Sequence, residues 1–412
     1  MHEHHAAAAL AYCERAIQFH RIAKRSSLGA EANLNKAHLE KARGPVTSNV
    51  SERIAIVGPS AEAVANLRQD LIAALTSRGH RVLCLTPPGP ARYGRVLRGL
   101  GAQHRMIEPP QPAFRALSDW QELSGLIAQF KDWQPNVVMG FGLQTLTHAA
   151  RAARRADVRR VVSLVNTLPV DGLDGVNRRR FAEALRESEA IVFHNAENQR
   201  HLARLGLIPQ NAMVAVVPGS GVDLEHYAAV PLPPTDKDIV FLMLARLERS
   251  RGVLEFKAAA ERIKAKWPRA AFRFAGPEST AADAVTPAEL TASGVVEYLG
   301  LLEDVRPALA ACHVFVYPSH AEGMPRAVLE ALATGRPVIT TRTPGCAATV
   351  DEKVSGCLVP AGDAGALAVA IESYLAHLDS LPPGARAARL KAERRFSVND
   401  VNATLLRVLG FY

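Results

Sequence analysis

Apolar residues in this chain alternate between two rhythms. From Arg53 onward, short unbroken apolar runs are followed by longer stretches in which apolar residues recur every three or four positions. The first rhythm marks buried strands and the second marks helices with one apolar face. Residues 54–57 (Ile-Ala-Ile-Val) predict a strand, Gly58-Pro-Ser-Ala-Glu62 a loop, and 64–78 a helix with Leu67, Leu71, Ile72 and Leu75 on one side. Gly79-His80 ends that helix, and 81–86 predict the next strand, completing a βαβ unit in which His80 is a structural residue. Further strands are predicted at 136–139, 160–165, 191–193 and 213–217, with a helix over 145–155. Sustained alternation of this kind implies a doubly wound parallel sheet.

Pro231-Leu-Pro-Pro234 interrupts the rhythm and reads as a linker. The alternation then restarts. Strands are predicted at 238–244, 271–275, 295–299, 313–317 and 337–340, and helices over 253–266, 305–311 and the segment from Glu322 to Glu330. The fold class is therefore α/β, with two doubly wound Rossmann-like domains facing across a cleft. The first domain is expected over 53–230 and the second over 231–397. A last helix, within 398–412, is expected to pack back on the first domain. Residues 1–52 read as an appendage, Ala- and His-rich at the start and polar later, with a helix of weak apolar face over 6–22. Ligands of such sheets bind at the carboxyl ends of the strands, so two facing domains present two ligands to each other.

Composition supports this picture and narrows the setting. An apolar content of 48% over 412 residues is ample for two cores. No run of about 18 apolar residues marks a membrane span. The opening Met1-His-Glu-His-His lacks the basic start and apolar core of a signal peptide. The five cysteines, Cys13, Cys84, Cys312, Cys346 and Cys357, form no CxxC pair and no metal-ligand spacing. Free thiols in a reducing cytoplasm are expected. The net charge is +9. Arg92, Arg95, Arg98 and Arg105 lie in a stretch without acids, Arg151, Arg154, Arg155, Arg159 and Arg160 form a second cluster, and Arg178-Arg179-Arg180 a third. Such clusters serve an anionic bilayer, a polyphosphate substrate or nucleic acid, or are simply solvated helix faces. No aromatic platform or recognition motif accompanies them, so nucleic acid is not an expected partner.

The residues that carry chemistry gather in the second half. Glu322-Gly-Met-Pro-Arg-Ala-Val-Leu-Glu330 sets two carboxylates eight residues apart, behind the strand-like run Cys312–Pro318. Gly323 leaves the backbone open, and free amides at a helix start favour an anion such as a diphosphate. A carboxylate at the turn accepts hydrogen bonds from sugar hydroxyls, and one two turns further matches a ribose diol. Two glutamates at this spacing also occur on ordinary surface helices. Ala245-Arg246-Leu-Glu-Arg-Ser-Arg251-Gly252 follows a predicted strand directly, so Arg246 emerges beside the expected ligand, where a guanidinium can hold a diphosphate bidentately. A solvated basic loop would have the same composition.

Taken together, these segments resemble the retaining glycosyltransferases of family 4, which have the GT-B fold. The resemblance covers about residues 53–410. It rests on Val217-Pro-Gly-Ser-Gly-Val-Asp223, Ala245-Arg-Leu with Arg251-Gly252, Phe274-Ala-Gly-Pro277, Tyr298-Leu-Gly300, the Glu322–Glu330 segment and Thr343-Pro-Gly345. The segment variant with Met324-Pro325-Arg326 and Thr343-Pro-Gly-Cys346 is similar to the bacterial branch that builds surface polysaccharides on polyprenyl-diphosphate carriers. The resemblance implies an acceptor-side first domain and a donor-binding second domain. It implies that Glu322 contacts the donor sugar and stabilises the reacting centre, and that Glu330 binds the ribose. Arg246 and the amides of Gly323 and Met324 would hold the diphosphate. Arg251 stands where the family usually has lysine, which keeps the charge and changes the geometry. Gly276, Pro277 and Leu299 would line the base. In the first domain, Gly58 matches the family's glycine-rich loop, and His148, His194 and Asn166 are candidates to reach the cleft, although a lone histidine is more often structural.

Other motifs are excluded. Gly140-Phe-Gly142 lacks the third glycine and the following acid of a dinucleotide fingerprint, and no P-loop pattern exists. No His/Cys cluster calls for a metal, and no cofactor is expected beyond a nucleotide diphosphate sugar as co-substrate. The expected reaction is hexosyl transfer, from a UDP-linked donor to a lipid-linked glycan, with retained configuration. The expected setting is the inner face of the cytoplasmic membrane, where the basic first domain would dock on anionic lipid. A nucleotide-sugar epimerase of the same architecture and a non-catalytic sugar-nucleotide-binding subunit are the alternatives.

Overall fold

The computed structural model describes residues 51–107, 115–168 and 175–411. The appendage over 1–50 and its expected helix lie outside the described residues.

Seven parallel strands form the first sheet: β1 (Arg53–Val57), β2 (Arg81–Thr86), β3 (Gln103–Met106), β4 (Val137–Phe141), β5 (Arg160–Val165), β6 (Ala190–Phe193) and β7 (Met213–Val216). Their order is β3-β2-β1-β4-β5-β6-β7. The central strand β4 is apolar throughout, and β1 is apolar after Arg53, because helices cover both faces. In β1, Ile54 and Ile56 join the core shared with helix Ala61–Ser77. Ala55 and Val57 join the opposite core, under helices Arg115–Trp133 and Leu143–Arg155. The second sheet holds β8 (Ile239–Leu244), β9 (Ala270–Ala275), β10 (Val296–Tyr298), β11 (Val314–Tyr317), β12 (Val338–Thr341) and β13 (Gly356–Val359), in the order β10-β9-β8-β11-β12-β13. The two expected doubly wound domains are present.

Each sheet reverses its strand order once. The reversal lies between β1 and β4 in the first domain and between β8 and β11 in the second. Connections leave such a point in opposite directions, which opens a crevice beyond the carboxyl ends of the strands.

Three local boundaries differ from the sequence expectation. Ser60 caps its helix by accepting from the Ala63 amide at 3.0 Å, so that helix starts at Ala61 and the preceding loop is shorter. Gly142 (φ +83°) stands as N-cap of a helix that begins at Leu143. The helix expected from Glu322 begins only at Arg326, because Pro325 takes the extended N-cap position.

The chain passes between the domains twice. At the first crossing, the fully buried Arg336 donates to the carbonyls of Leu309 (2.8 Å), Ala310 (3.2 Å) and Pro231 (3.0 Å), which anchors the proline-rich linker. At the second, Val222 and Ser397 form a parallel bridge. Helix Val398–Leu409 then packs Val401, Leu405 and Leu409 into the core containing Ile54 and Leu71. The Phe411 ring closes on His80 at 4.3 Å. Cys84, Cys312, Cys346 and Cys357 are free thiols. Among the described residues no helix is long and apolar enough to cross a membrane.

Candidate active site

The loops that leave β8 and β11 are pressed together backbone to backbone. A β-carbon on Gly252 (φ +78°) would stand 2.2 Å from the Pro318 carbonyl oxygen, so only glycine fits there. Ser319 Oγ and the His320 amide both donate to the Ser250 carbonyl, and His320 Nε2 lies 3.0 Å from Glu255 Oε1.

This contact brings Arg251 to Glu322. Arg251 Nη1 donates to Glu322 Oε1, and the Tyr317 hydroxyl donates to the same oxygen at 2.7 Å. Arg251 Nε also donates to Glu248 Oε2 at 3.2 Å, while Glu248 Oε1 accepts from Ser279 Oγ at 2.8 Å. Burial disfavours the Arg251 cation, but the carboxylates of Glu322 and Glu248 outweigh it and hold its pKa above the ordinary value. Burial, reinforced by the charge of Glu322, holds the Tyr317 hydroxyl far above its ordinary pKa, so it remains a donor. Glu322 Oε2 accepts nothing from a described residue, which leaves it available to a ligand hydroxyl.

Next to Glu322, the second domain touches the first. A β-carbon on Gly323 would fall 1.9 Å from the Asn166 carbonyl oxygen. The Gly323 carbonyl accepts from Asn195 Nδ2 at 2.8 Å. Met324 fills the space where Gly219 lacks a side chain, and Gly345 lies directly beneath the Glu322 and Gly323 carbonyls. Gly323 and Met324 therefore precede the helix as an extended turn wedged between domains.

Glu330 is buried on the following helix. Its Oε1 accepts from Arg326 Nε at 2.9 Å, and the Tyr227 hydroxyl bonds to its carboxylate. Burial raises its pKa, with Arg326 opposing. Arg246 does not join Arg251. It is half-exposed and reaches across to the first domain, with Nη2 3.5 Å from Glu62 Oε2. Glu62 Oε1 also accepts from the Tyr93 hydroxyl at 3.1 Å. Gly276 lies directly on the end of β8, because a β-carbon there would meet the Ala245 oxygen at 1.7 Å. Its carbonyl accepts from the Tyr298 hydroxyl, and Pro277 accepts from the Leu247 amide. Leu299 is partly buried against the core that holds Val222 and Phe315.

The first-domain candidates sit differently. Gly58 donates its amide to Leu85, and a β-carbon on it would collide with Val64 and Phe141. Tight packing, rather than a phosphate, accounts for this glycine. His148 and His194 do not open on the cleft, a correction to their sequence reading. His148 is buried, with Nδ1 3.0 Å from Glu122 Oε2. His194 is buried against Arg68, whose Nη2 lies 3.0 Å from its Nε2. Burial, then the Arg68 charge, pushes the His194 pKa well below its ordinary value, so it is neutral. Asn166 meets Gly323 through its backbone, while its side-chain oxygen is buried without a hydrogen-bond partner. Sequence reasoning missed Tyr317, Glu248, Glu62 and Asn195. Glu248 was legible as an acid three residues before Arg251, the other three only from contacts between distant segments.

Comparison with known proteins agrees with this geometry. The family model for the glycosyl transferase 4-like domain matches residues 63–219, and that for glycosyl transferases group 1 matches residues 238–377. The chain is similar to the N,N'-diacetylbacillosaminyl-diphospho-undecaprenol alpha-1,3-N-acetylgalactosaminyltransferase of Campylobacter jejuni, being 24% identical over 74% of this chain and 84% of that protein. It is 30% identical to the UDP-Gal:alpha-D-GlcNAc-diphosphoundecaprenol alpha-1,3-galactosyltransferase of Escherichia coli, over 42% of this chain and 47% of that one. In fold it is similar to Anabaena Alr3699/HepE, solved in complex with UDP-glucose, with TM-score 0.72 and 18% identity over 87% of this chain and 99% of that one.

The contact at Gly323 makes a direct prediction. Gly323→Ala forces a side chain against the Asn166 carbonyl and parts the domains, at a cost of roughly 1–3 kcal/mol. A lower thermal midpoint and a larger radius of gyration by X-ray scattering are expected. An unchanged midpoint and radius would mean that the contact is not maintained in solution.

Proposed function

Because the chain belongs to the family 4 glycosyltransferases of the GT-B fold, we propose that it transfers a hexosyl group from a UDP-linked donor to a polyprenyl-diphosphate-linked glycan, with retention of configuration. The observation that carries this reading is the position of Glu322. It stands at the second domain's reversal point, held by Arg251 and Tyr317 through one oxygen, while the other accepts nothing from the described residues. The UDP named for the Escherichia coli relative and the UDP-glucose bound to the Anabaena protein support the donor. The diphosphoundecaprenol in the names of both relatives supports the acceptor.

In this reading the diphosphate lies between Arg251, Arg246 and the amides of Gly323 and Met324, and no metal is required. Glu330 takes the ribose diol, and the Gly276-Pro277 loop with Leu299 takes the base. As the bond from the anomeric carbon to the phosphate oxygen breaks, positive charge grows on the sugar and negative charge on the diphosphate. Glu322 stabilises the first and the guanidinium groups the second. The acceptor hydroxyl forms its bond on the same face and passes its proton to the departing phosphate oxygen. An epimerase or a non-catalytic subunit has less support, since both relatives are named as transferases.

Docking at the membrane is part of the same proposal. Arg92, Arg95 and Arg98 are exposed on helix Ala91–Gly99, together with Val96. Exposed Met106 follows on edge strand β3. The second basic cluster is partly neutralised within the fold, by Glu187 on Arg154 and Glu52 on Arg159. Mixed basic and apolar exposure suits the surface of an anionic bilayer.

Glu322→Ala should lower transfer by about a thousandfold, with folding intact because Arg251 keeps Glu248 as a partner. Wild-type turnover in the folded variant would sink the assignment. The protein should also bind phosphatidylglycerol vesicles, less as salt rises. Equal binding to neutral phosphatidylcholine vesicles would count against docking by charge.

A further inference from the structure

Behind the residues that face the cleft stands a buried carboxylate that the donor reading leaves without a role. Glu248 is 7% exposed, in the loop after β8. Both of its oxygens are engaged: Oε2 accepts from Arg251 Nε at 3.2 Å, and Oε1 from Ser279 Oγ at 2.8 Å. Burying a carboxylate is costly unless it is paired and hydrogen-bonded, and this one is both. Its backbone is fixed as well. The segment after β9 grips the loop through the Arg249 amide on the Asp283 carbonyl (2.8 Å), the Ser250 amide on Asp283 Oδ2 (3.0 Å) and the Val285 amide on the Leu247 carbonyl (2.8 Å). Glu248 itself bridges to Ala284.

We propose that Glu248 is the positioning residue for Arg251, pivoting its guanidinium on Nε so that the far end of the fork meets the donor diphosphate. The proposal rests on the transferase reading above. A guanidinium carries five N–H groups. Among the described residues Arg251 uses two, one on Nε to Glu248 and one on Nη1 to Glu322. The others belong to Nη1 and Nη2, the end of the fork that grips a phosphate bidentately. The side chain is 29% exposed, and none of its nitrogens is both buried and without a partner.

A planar fork makes two bonds at once only when its plane is set, whereas an ammonium is a point charge with no plane to set. Glu248 sets that plane from behind, nearly out of solvent. Ser279, which holds its other oxygen, lies in the same segment as Gly276 and Pro277, the residues proposed to take the base. One segment therefore carries the base contacts and the anchor of the phosphate clamp. The charge of Glu248 acts the other way, because a carboxylate beside an anion site repels the anion. Orientation has to outweigh that repulsion, and two substitutions separate the effects.

The test is UDP binding to the full chain by titration calorimetry. Glu248→Asp keeps the charge but withdraws it by one methylene from Arg251 Nε. Glu248→Gln removes the charge but keeps an acceptor for Nε, while its amide N–H donates to Ser279. Positioning predicts at least fivefold weaker UDP binding in Glu248→Asp and binding within threefold of wild type in Glu248→Gln. In an Arg251→Lys background, Glu248→Asp should change UDP affinity less than twofold. A loss of packing alone would weaken binding equally in both backgrounds. If Glu248→Asp does not fold, Ser279→Ala releases Oε1 and should weaken UDP binding at least twofold in the presence of Arg251 and leave it unaltered in the Arg251→Lys background. Wild-type affinity in Glu248→Asp (or in Ser279→Ala, where that variant stands in), a greater loss in Glu248→Gln than in Glu248→Asp, or the same loss in both backgrounds overturns the positioning role, while UDP binding leaves the donor reading standing. Absence of UDP binding in wild type would overturn both.

Discussion

The arrangement depends on one close approach, the backbone of Gly323 against the backbone of Asn166. No β-carbon fits between them. Gly345 allows the same turn to lie flat on the second domain, and Gly219 receives Met324 from it. Glycines from both domains therefore let two main chains meet where bulkier residues would hold them apart. Because both partners sit at carboxyl ends of strands, this contact brings the two strand-order reversals into one cleft. The linker held by Arg336 and the return of helix Val398–Leu409 to the first core limit how the domains turn about it.

Charge in the cleft is organised in pairs that a ligand can exchange. Arg251 lies between Glu248 and Glu322, Arg246 faces Glu62, and Arg326 holds Glu330. Behind them, Arg68 is buried with neutral His194 as its hydrogen-bond partner and Phe141 5.2 Å from its guanidinium. Burial, then Arg326, lowers its pKa to about 9. In the proposed reaction a diphosphate meets guanidinium groups that are already oriented and partly desolvated. Little reorganisation then remains for the moment when the leaving group gains charge.

The fold was legible because the physics that makes it is local. Runs such as Ile54–Val57 and Ile239–Leu244 are too apolar for a half-exposed strand, and the periodic stretches between them fit helices that cover both faces. Boundaries were less legible where a single cap decides them, as at Ser60 and Pro325. For the site, sequence order set Arg246, Arg251 and Glu322 in loops after strands of one domain, with Glu330 on the helix that follows. Contacts between distant segments were not legible. Nothing in the spacing marks Asn195 as a donor to Gly323, or Glu122 as the partner of His148, because each pair forms only when separate elements pack. The two histidines illustrate the same point: each is a plausible ligand by residue type and a buried partner by structure.

The most direct test is hydrogen–deuterium exchange across the whole chain, with and without saturating UDP. A nucleotide held at the second domain's reversal point predicts slower exchange in the peptides spanning 246–252 and 322–330. Slower exchange confined to the first domain, or no change anywhere at saturation, would contradict the account.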